Sequence, residues 1–194
     1  MKLLRVLIFA VVALAQMAVP AWAVWMRNQT LAKGKTWKFR TAPVDPVDAV
    51  RGRYVALAFA AEKVPQAERL PPASVAYAFL KEGSNGFAEI DHLSTTAATG
   101  NNVMKVEPGA WWDGSQHVDF PFDRFWLTEK VAPEADRAYA SSSREEKANA
   151  YVTVRVHDGD AALEQLYIDD QPLPEYLRAH PPIKESPKNG LGGR

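Results

Sequence analysis

Hydrophobic and polar positions divide the chain into three regimes. From Val6 to Trp25, twenty residues pass without a charge, interrupted only by Gln16 and Pro20. At 1.5 Å per residue that run matches about 30 Å of hydrocarbon, and it has no polar face to turn toward water. Farther along, the pattern changes to period two, the spacing of strands with one face buried. Residues 54–61 put Val55, Leu57 and Phe59 on one face and Tyr54, Ala56 and Ala58 on the other. Residues 74–81 repeat the pattern after the break at Pro71-Pro72. Further strands are expected at 86–92, 102–107 and 116–122, with a weaker one at 125–131. In the third of these Val118, Phe120 and Phe122 alternate with His117, Asp119 and Pro121. Gly and Asn clusters at 84–86 and 100–102, with Pro108-Gly109, supply the turns. Residues 150–157 alternate through Val152, Val154 and Val156, Asp158-Gly159 reads as a hairpin turn, and 161–168 returns. The one soluble helix expected covers 133–148, with proline and two acids at its start and contacts through Ala135, Ala138, Tyr139 and Ala148. Residues 171–194, with five prolines and three glycines, are expected to form a loosely attached tail.

The fold class is therefore mainly β (α+β): an antiparallel β-rich domain with one exposed helix, preceded by an N-terminal hydrophobic helix. The corresponding division is 1–26, membrane anchor or signal segment; 27–40, a basic juxtamembrane stretch; 41–170, the domain; and 171–194, the tail. Lys2 and Arg5 ahead of the apolar run suit both a secretory signal and an anchor. Pro20 is expected to break the helix, and Ala21-Trp22-Ala23 fits a cleavage site. Trp22, Trp25 and Arg27 instead fit the interfacial end of a retained span, which is the favoured reading. It implies membrane lipid around residues 6–25, a cytoplasmic N-terminus, and a domain facing the periplasm or cell exterior. A periplasmic or secreted protein cut near Ala23 is the alternative.

Composition sharpens this picture. The 194 residues contain no cysteine, which excludes disulfide scaffolds, thiolate metal sites and cysteine nucleophiles. The 23 basic and 23 acidic side chains balance only overall. Residues 1–40 hold seven basic groups and no acid, leaving 16 basic and 23 acidic in the remainder. That remainder, residues 41–194 with an acidic excess of seven, is not a general nucleic-acid binder, and no nucleic-acid partner is expected. The basic stretch either lies against anionic lipid or forms a solvated stalk.

Candidate chemistry is sparse. His117 and Asp119 share a strand face, and with Asp113 they form the weak candidate set for a hydrolase, with or without a metal. His157, Asp158 and Asp160 gather at the hairpin, but no diagnostic metal-ligand spacing occurs and no metal site is assigned. Ser141-Ser142-Ser143 lacks a nucleophile pattern and reads as surface. No glycine-rich phosphate loop is present, and no cofactor is expected. Asn28-Gln29-Thr30 matches a glycosylation sequon without further support. Trp111 and Trp112 are possible binding residues. Neighbours in a strand face opposite ways, so one is expected in the core and the other outside.

The stretch Pro43, Val44, Asp45, Pro46, Asp48, Arg51, Gly52, Tyr54 and Leu57 resembles the "PVDPRD-x-x-RGDY" approach of the GDYXXLXY family of bacterial membrane-anchored proteins. The apolar segment carrying Gln16 and a closing hairpin at 152–169 extend the likeness. Two positions depart from the family: Arg53 replaces the signature aspartate, and Phe59 replaces the last tyrosine. The first makes any role of that carboxylate untransferable; the second keeps ring packing and loses a hydroxyl. Arg53 paired with Asp45 or Asp48 would make the motif structural. The resemblance implies architecture and location, and a multispanning membrane protein as partner, since members are often encoded beside one. It assigns no reaction. The function expected is a membrane-anchored extracytoplasmic module that binds or serves a membrane protein, with a cell-envelope hydrolase as the alternative.

Overall fold

A computed structural model describes residues 2–42, 54–65, 69–71, 74–129, 131–142 and 149–181. It opens with helix α1 (Lys2–Lys33), longer than expected at both ends. Pro20 lies inside this helix rather than ending it. The missing N–H leaves the Gln16 carbonyl without its helical donor, a loss that spans tolerate where neighbouring groups take up the freed carbonyl. This helix is long and apolar enough to cross a membrane, and its most apolar window has no buried residue.

The basic stretch at 27–40 is divided between the helix and the sheet. Its first part is the last two turns of α1; after a bend at Gly34 the chain enters strand β1 (Lys35–Ala42). Trp37, Phe39 and Thr41 of β1 face inward. The solvated-stalk reading is thereby corrected: Trp37, Phe39 and Thr41 alternate as a core strand, with Lys and Arg interleaved between them. Three of those cations lie over aromatic rings: Lys35 over Trp37 at 4.1 Å, Lys38 over Tyr151 at 5.4 Å and Arg40 over Phe87 at 4.4 Å.

Residues 54–61 form two strands, not one. β2 (Tyr54–Ala56) and β3 (Ala58–Phe59) are separated at Leu57, whose N–H donates to the Asp123 carbonyl at 2.8 Å. A single 3₁₀ turn (Ala60–Glu62) leads into β4 (Lys63–Pro65). There follow β5 (Ala76–Glu82), β6 (Ala88–Ser94), β7 (Val103–Trp112), β8 (Ser115–Asp119) and β9 (Arg124–Trp126). Helix α2 (Ala132–Ser142) buries Ala135 and Tyr139 as expected; Ala148 lies outside the described residues. Ser142, expected at the surface, is buried at its end. The last hairpin is β10 (Ala150–His157) and β11 (Asp160–Ile168), turning at Asp158-Gly159.

The start of the expected tail is ordered into the domain. β12 (Gln171–Pro172) pairs with β11, and helix α3 (Leu173–Ala179) buries Leu173 and Leu177 at helical spacing. Proline at the first turn favours that helix, so proline density alone misjudged the segment.

Two five-stranded sheets, β12-β11-β10-β1-β3 and β4-β8-β7-β5-β6, and a two-stranded pair, β2-β9, carry the domain. All ladder pairs are antiparallel. One apolar cluster joins the sheets, with Val152, Val154 and Leu166 from the first and Ala78, Met104 and Val118 from the second. At its centre Phe39, Phe59, Phe120 and Phe122 pack with ring centroids 5.2–6.1 Å apart. Phe120 and Phe122 keep their inward alternation beyond the end of β8.

Candidate functional site

Sequence-derived candidates gather on β7 and β8. The two strands are joined by Asp113-Gly114, with φ of 52° and 66°, the paired positive angles of a type I′ hairpin turn. Trp112 pairs with Ser115 and Trp111 with Gln116, after a bulge between Pro108 and Trp111. Gln116 fixes that bulge. Its buried amide NH₂ donates to the carbonyls of Gly109, Ala110 and His117, and its Oε1 accepts from the Leu70 N–H at 3.1 Å. An amide satisfied this fully inside a domain makes a rigid joint.

Beyond that joint both tryptophans face solvent, Trp111 38% exposed and Trp112 57%. Neither enters the core, which corrects the expectation that one would. The bulge and the projecting hairpin carry the pair past the packed part of the sheet.

His117 and Asp119 are brought together, with His117 Nε2 3.6 Å from Asp119 Oδ1, both well exposed. Asp113 is not part of this pair; it occupies the hairpin turn. Glu107 stands directly across the ladder from Asp119. Among the described residues no group of three or more His, Asp or Glu side chains is placed to share a metal ion. In the other hairpin cluster His157 Nε2 lies 3.5 Å from Asp158 Oδ2, but Asp160 turns to a separate partner. His157 Nδ1 meets Asn101 Oδ1 at 3.0 Å, while Asp160 pairs with Lys105 at 3.2 Å.

A residue that the sequence reading missed is Glu62. It is half-buried, its carboxylate accepts the Phe59 N–H at 3.2 Å, and its pKa is pushed up to about 7. Burial is the main cause, Asp119 and Asp123 add to it, and the Phe59 bond opposes it. The available signal was a lone glutamate directly after the apolar strand, Phe59-Ala-Ala-Glu62.

Of the motif residues, Leu57 and Phe59 are buried in the core. Tyr54 is half-buried on β2, its ring 5.2 Å from that of Trp126 on β9, with the Arg124 guanidinium 5.1 Å from the ring centre. Asp45, Pro46, Asp48, Arg51, Gly52 and Arg53 lie outside the described residues, as does the pairing expected for Arg53. The sequon is helical: Thr30 is buried, and its hydroxyl donates back to the Met26 carbonyl.

The end of α1 is bonded to the domain. Arg27 donates to the Leu163 carbonyl at 3.3 Å, and Arg155 donates to the Gly34 carbonyl at 3.1 Å. Comparison with known proteins gives a family model described as GDYXXLXY protein, matching residues 16–166. No curated protein and no solved structure matches the chain.

Proposed function

The chain belongs to the GDYXXLXY protein family, and on that footing we propose that it is a retained membrane-anchored module that acts by binding an integral membrane protein. The observation carrying this reading is the solvent-facing Trp111–Trp112 tip on a hairpin locked by Gln116. Tryptophan is enriched where binding energy concentrates, and a rigid mount lowers the entropy lost on docking. Docking of the last turns of α1 on β10 and β11 supports the same reading, because it couples the domain to the span. Retention fits the continuity of the helix: Ala21-Trp22-Ala23 is helical, whereas proteolysis favours exposed, irregular chain. Signal-like segments at the start of a chain usually insert with the N-terminus inside, and on that prior Lys2 and Arg5 lie in the cytoplasm and the domain outside, although a simple positive-inside count over residues 27–40 pulls the other way.

Capture from detergent-solubilised membranes tests the role. An integral membrane protein recovered with the tagged full chain, and lost with the double substitution Trp111→Ala/Trp112→Ala, is the expected result. Recovery unchanged by the double substitution, or no membrane protein at all, rejects it. The alternative of a cell-envelope hydrolase rests on Glu62, a carboxyl titrating near neutrality beside Asp119, which itself neighbours His117. Turnover of an envelope ester or amide that Glu62→Gln abolishes would favour that reading over binding.

A further inference from the structure

Helix α1 presents Ala23, Met26, Arg27 and Thr30 to the domain, positions spaced i, i+3, i+4 and i+7 on one helical face. Between this face and Lys105, Pro121 and the start of β11 lies a cleft of about 550 Å³. A second cleft, of about 450 Å³, lies between Arg27 and the Arg124–Phe125–Trp126 strand. Arg27 and Pro121 line both.

The depth of these clefts follows from the apolar run. With Val6–Trp25 centred in the bilayer and an upright helix, Ala23 lies about 4 Å inside the hydrocarbon boundary and Thr30 about 7 Å outside it. The helix face of the first cleft therefore spans the hydrocarbon boundary, from the upper acyl chain at Ala23 to the level of the phosphate at Thr30. Trp22 and Trp25, in ring contact at 5.0 Å, mark the same level on the helix, and Trp126, 65% exposed, rims the second cleft.

Charge selects the occupant. Lys105 is paired with Asp160, Arg124 with Asp123, and Glu164 with Arg155. Among the described residues Arg27 donates to a backbone carbonyl and meets no carboxylate within ion-pair distance. The remaining fork of the guanidinium suits a phosphodiester. Lys35, Lys38 and Arg40, which the sequence placed in the same basic stretch, are engaged over rings of the domain.

We propose that the two clefts flanking Arg27 hold the headgroup of an anionic phospholipid, with Arg27 on the phosphodiester and the Ala23–Met26 face and Trp126 against the upper acyl chain. The bound lipid fills the seam between span and domain and fixes the height of the domain above the membrane. This rests on the anchor being retained.

The test uses full-length protein extracted from membranes and passed through detergent containing equal phosphatidylglycerol and phosphatidylcholine. Intact mass is measured first: a chain beginning at Val24 overturns the anchor reading itself. For protein beginning at Met1, native mass spectrometry counts the retained lipid. Wild type is expected to retain phosphatidylglycerol preferentially, and Arg27→Gln to lose about fivefold of that preference. Arg27→Lys, which keeps charge without the fork, is expected between them, and Lys38→Gln at the wild-type level. Thermal melting confirms that each variant is folded. Equal retention by wild type and Arg27→Gln, or no preference for the anionic lipid, overturns the proposal while leaving the anchor intact. Excess inorganic phosphate separates the ligand sources: retention that survives it supports the lipid, and displacement by phosphate overturns the lipid assignment.

Discussion

Glu62 is held in conflict with its surroundings: burial and two nearby carboxylates favour its proton, and one backbone N–H favours its charge. Its folded pKa, about 7, exceeds the 4.5 of the unfolded side chain. The folded state therefore holds a proton that the unfolded chain releases first, and stability falls as pH rises from about 4.5 to 7. Discounted for partial exposure, the fall is about 1–2 kcal/mol. Glu62→Gln keeps an acceptor for Phe59 and removes the titration. It is expected to match wild type near pH 4.5 and to melt higher near pH 8, as thermal scans at both values will show. Gln116 gives a contrasting case. Gln116→Ala strands the Leu70 N–H and three carbonyls and is expected to cost about 2–4 kcal/mol in denaturant titrations. Trp112→Ala, at an exposed position, should change stability by no more than about 0.5 kcal/mol while weakening partner capture.

At the scale of elements, the junction of α1 with the sheet depends on Gly34. A Cβ there would stand 2.5 Å from the Thr30 carbonyl oxygen and 3.0 Å from the backbone N and O of Val156. These are backbone atoms, so helix and strand must separate to admit it. Gly34→Ala is expected to destabilise the domain by about 1–3 kcal/mol, read as a lowered melting midpoint. The close approach of β10 to Gly34 was not visible in the sequence, because Val156 is 122 residues away. The same division between local and distant information runs through the fold. β10 and the turn after it were legible to the residue, and the return strand to within one, since period-two apolar spacing and Asp-Gly are local signals. The change of sheet at Leu57 was not, because it is set by a bond to Asp123. Nor was the exposure of both tryptophans, which follows from a bulge held by a buried amide. His117 and Asp119 were legible as neighbours because they share a strand face. Glu62 joins their electrostatics only through the pairing of β4 with β8.

Across the whole molecule, the charge division acquires a location. The seven basic groups of residues 1–40 do not form one patch: two precede the span, Arg27 and Lys33 lie in the last turns of α1, and three engage rings in the domain. The positive-inside rule pulls a basic flank toward the cytoplasm, but the three cations seated on aromatic faces belong to a folded unit and weigh less in such a count. The proposed orientation, with Lys2 and Arg5 in the cytoplasm and the acidic domain outside, is open to test. The absence of cysteine permits a direct measurement, because any introduced thiol is the sole target of maleimide. Asp136→Cys puts one on the exposed side of α2, where Asp136 makes no packed contact with the core. Leu3→Cys puts one before the span. In intact cells with the outer envelope opened, a membrane-impermeant maleimide is expected to label position 136 and to leave position 3 unlabelled until the inner membrane is disrupted. Labelling of position 3 alone would place the domain in the cytoplasm and move the tryptophan tip to the other side of the bilayer.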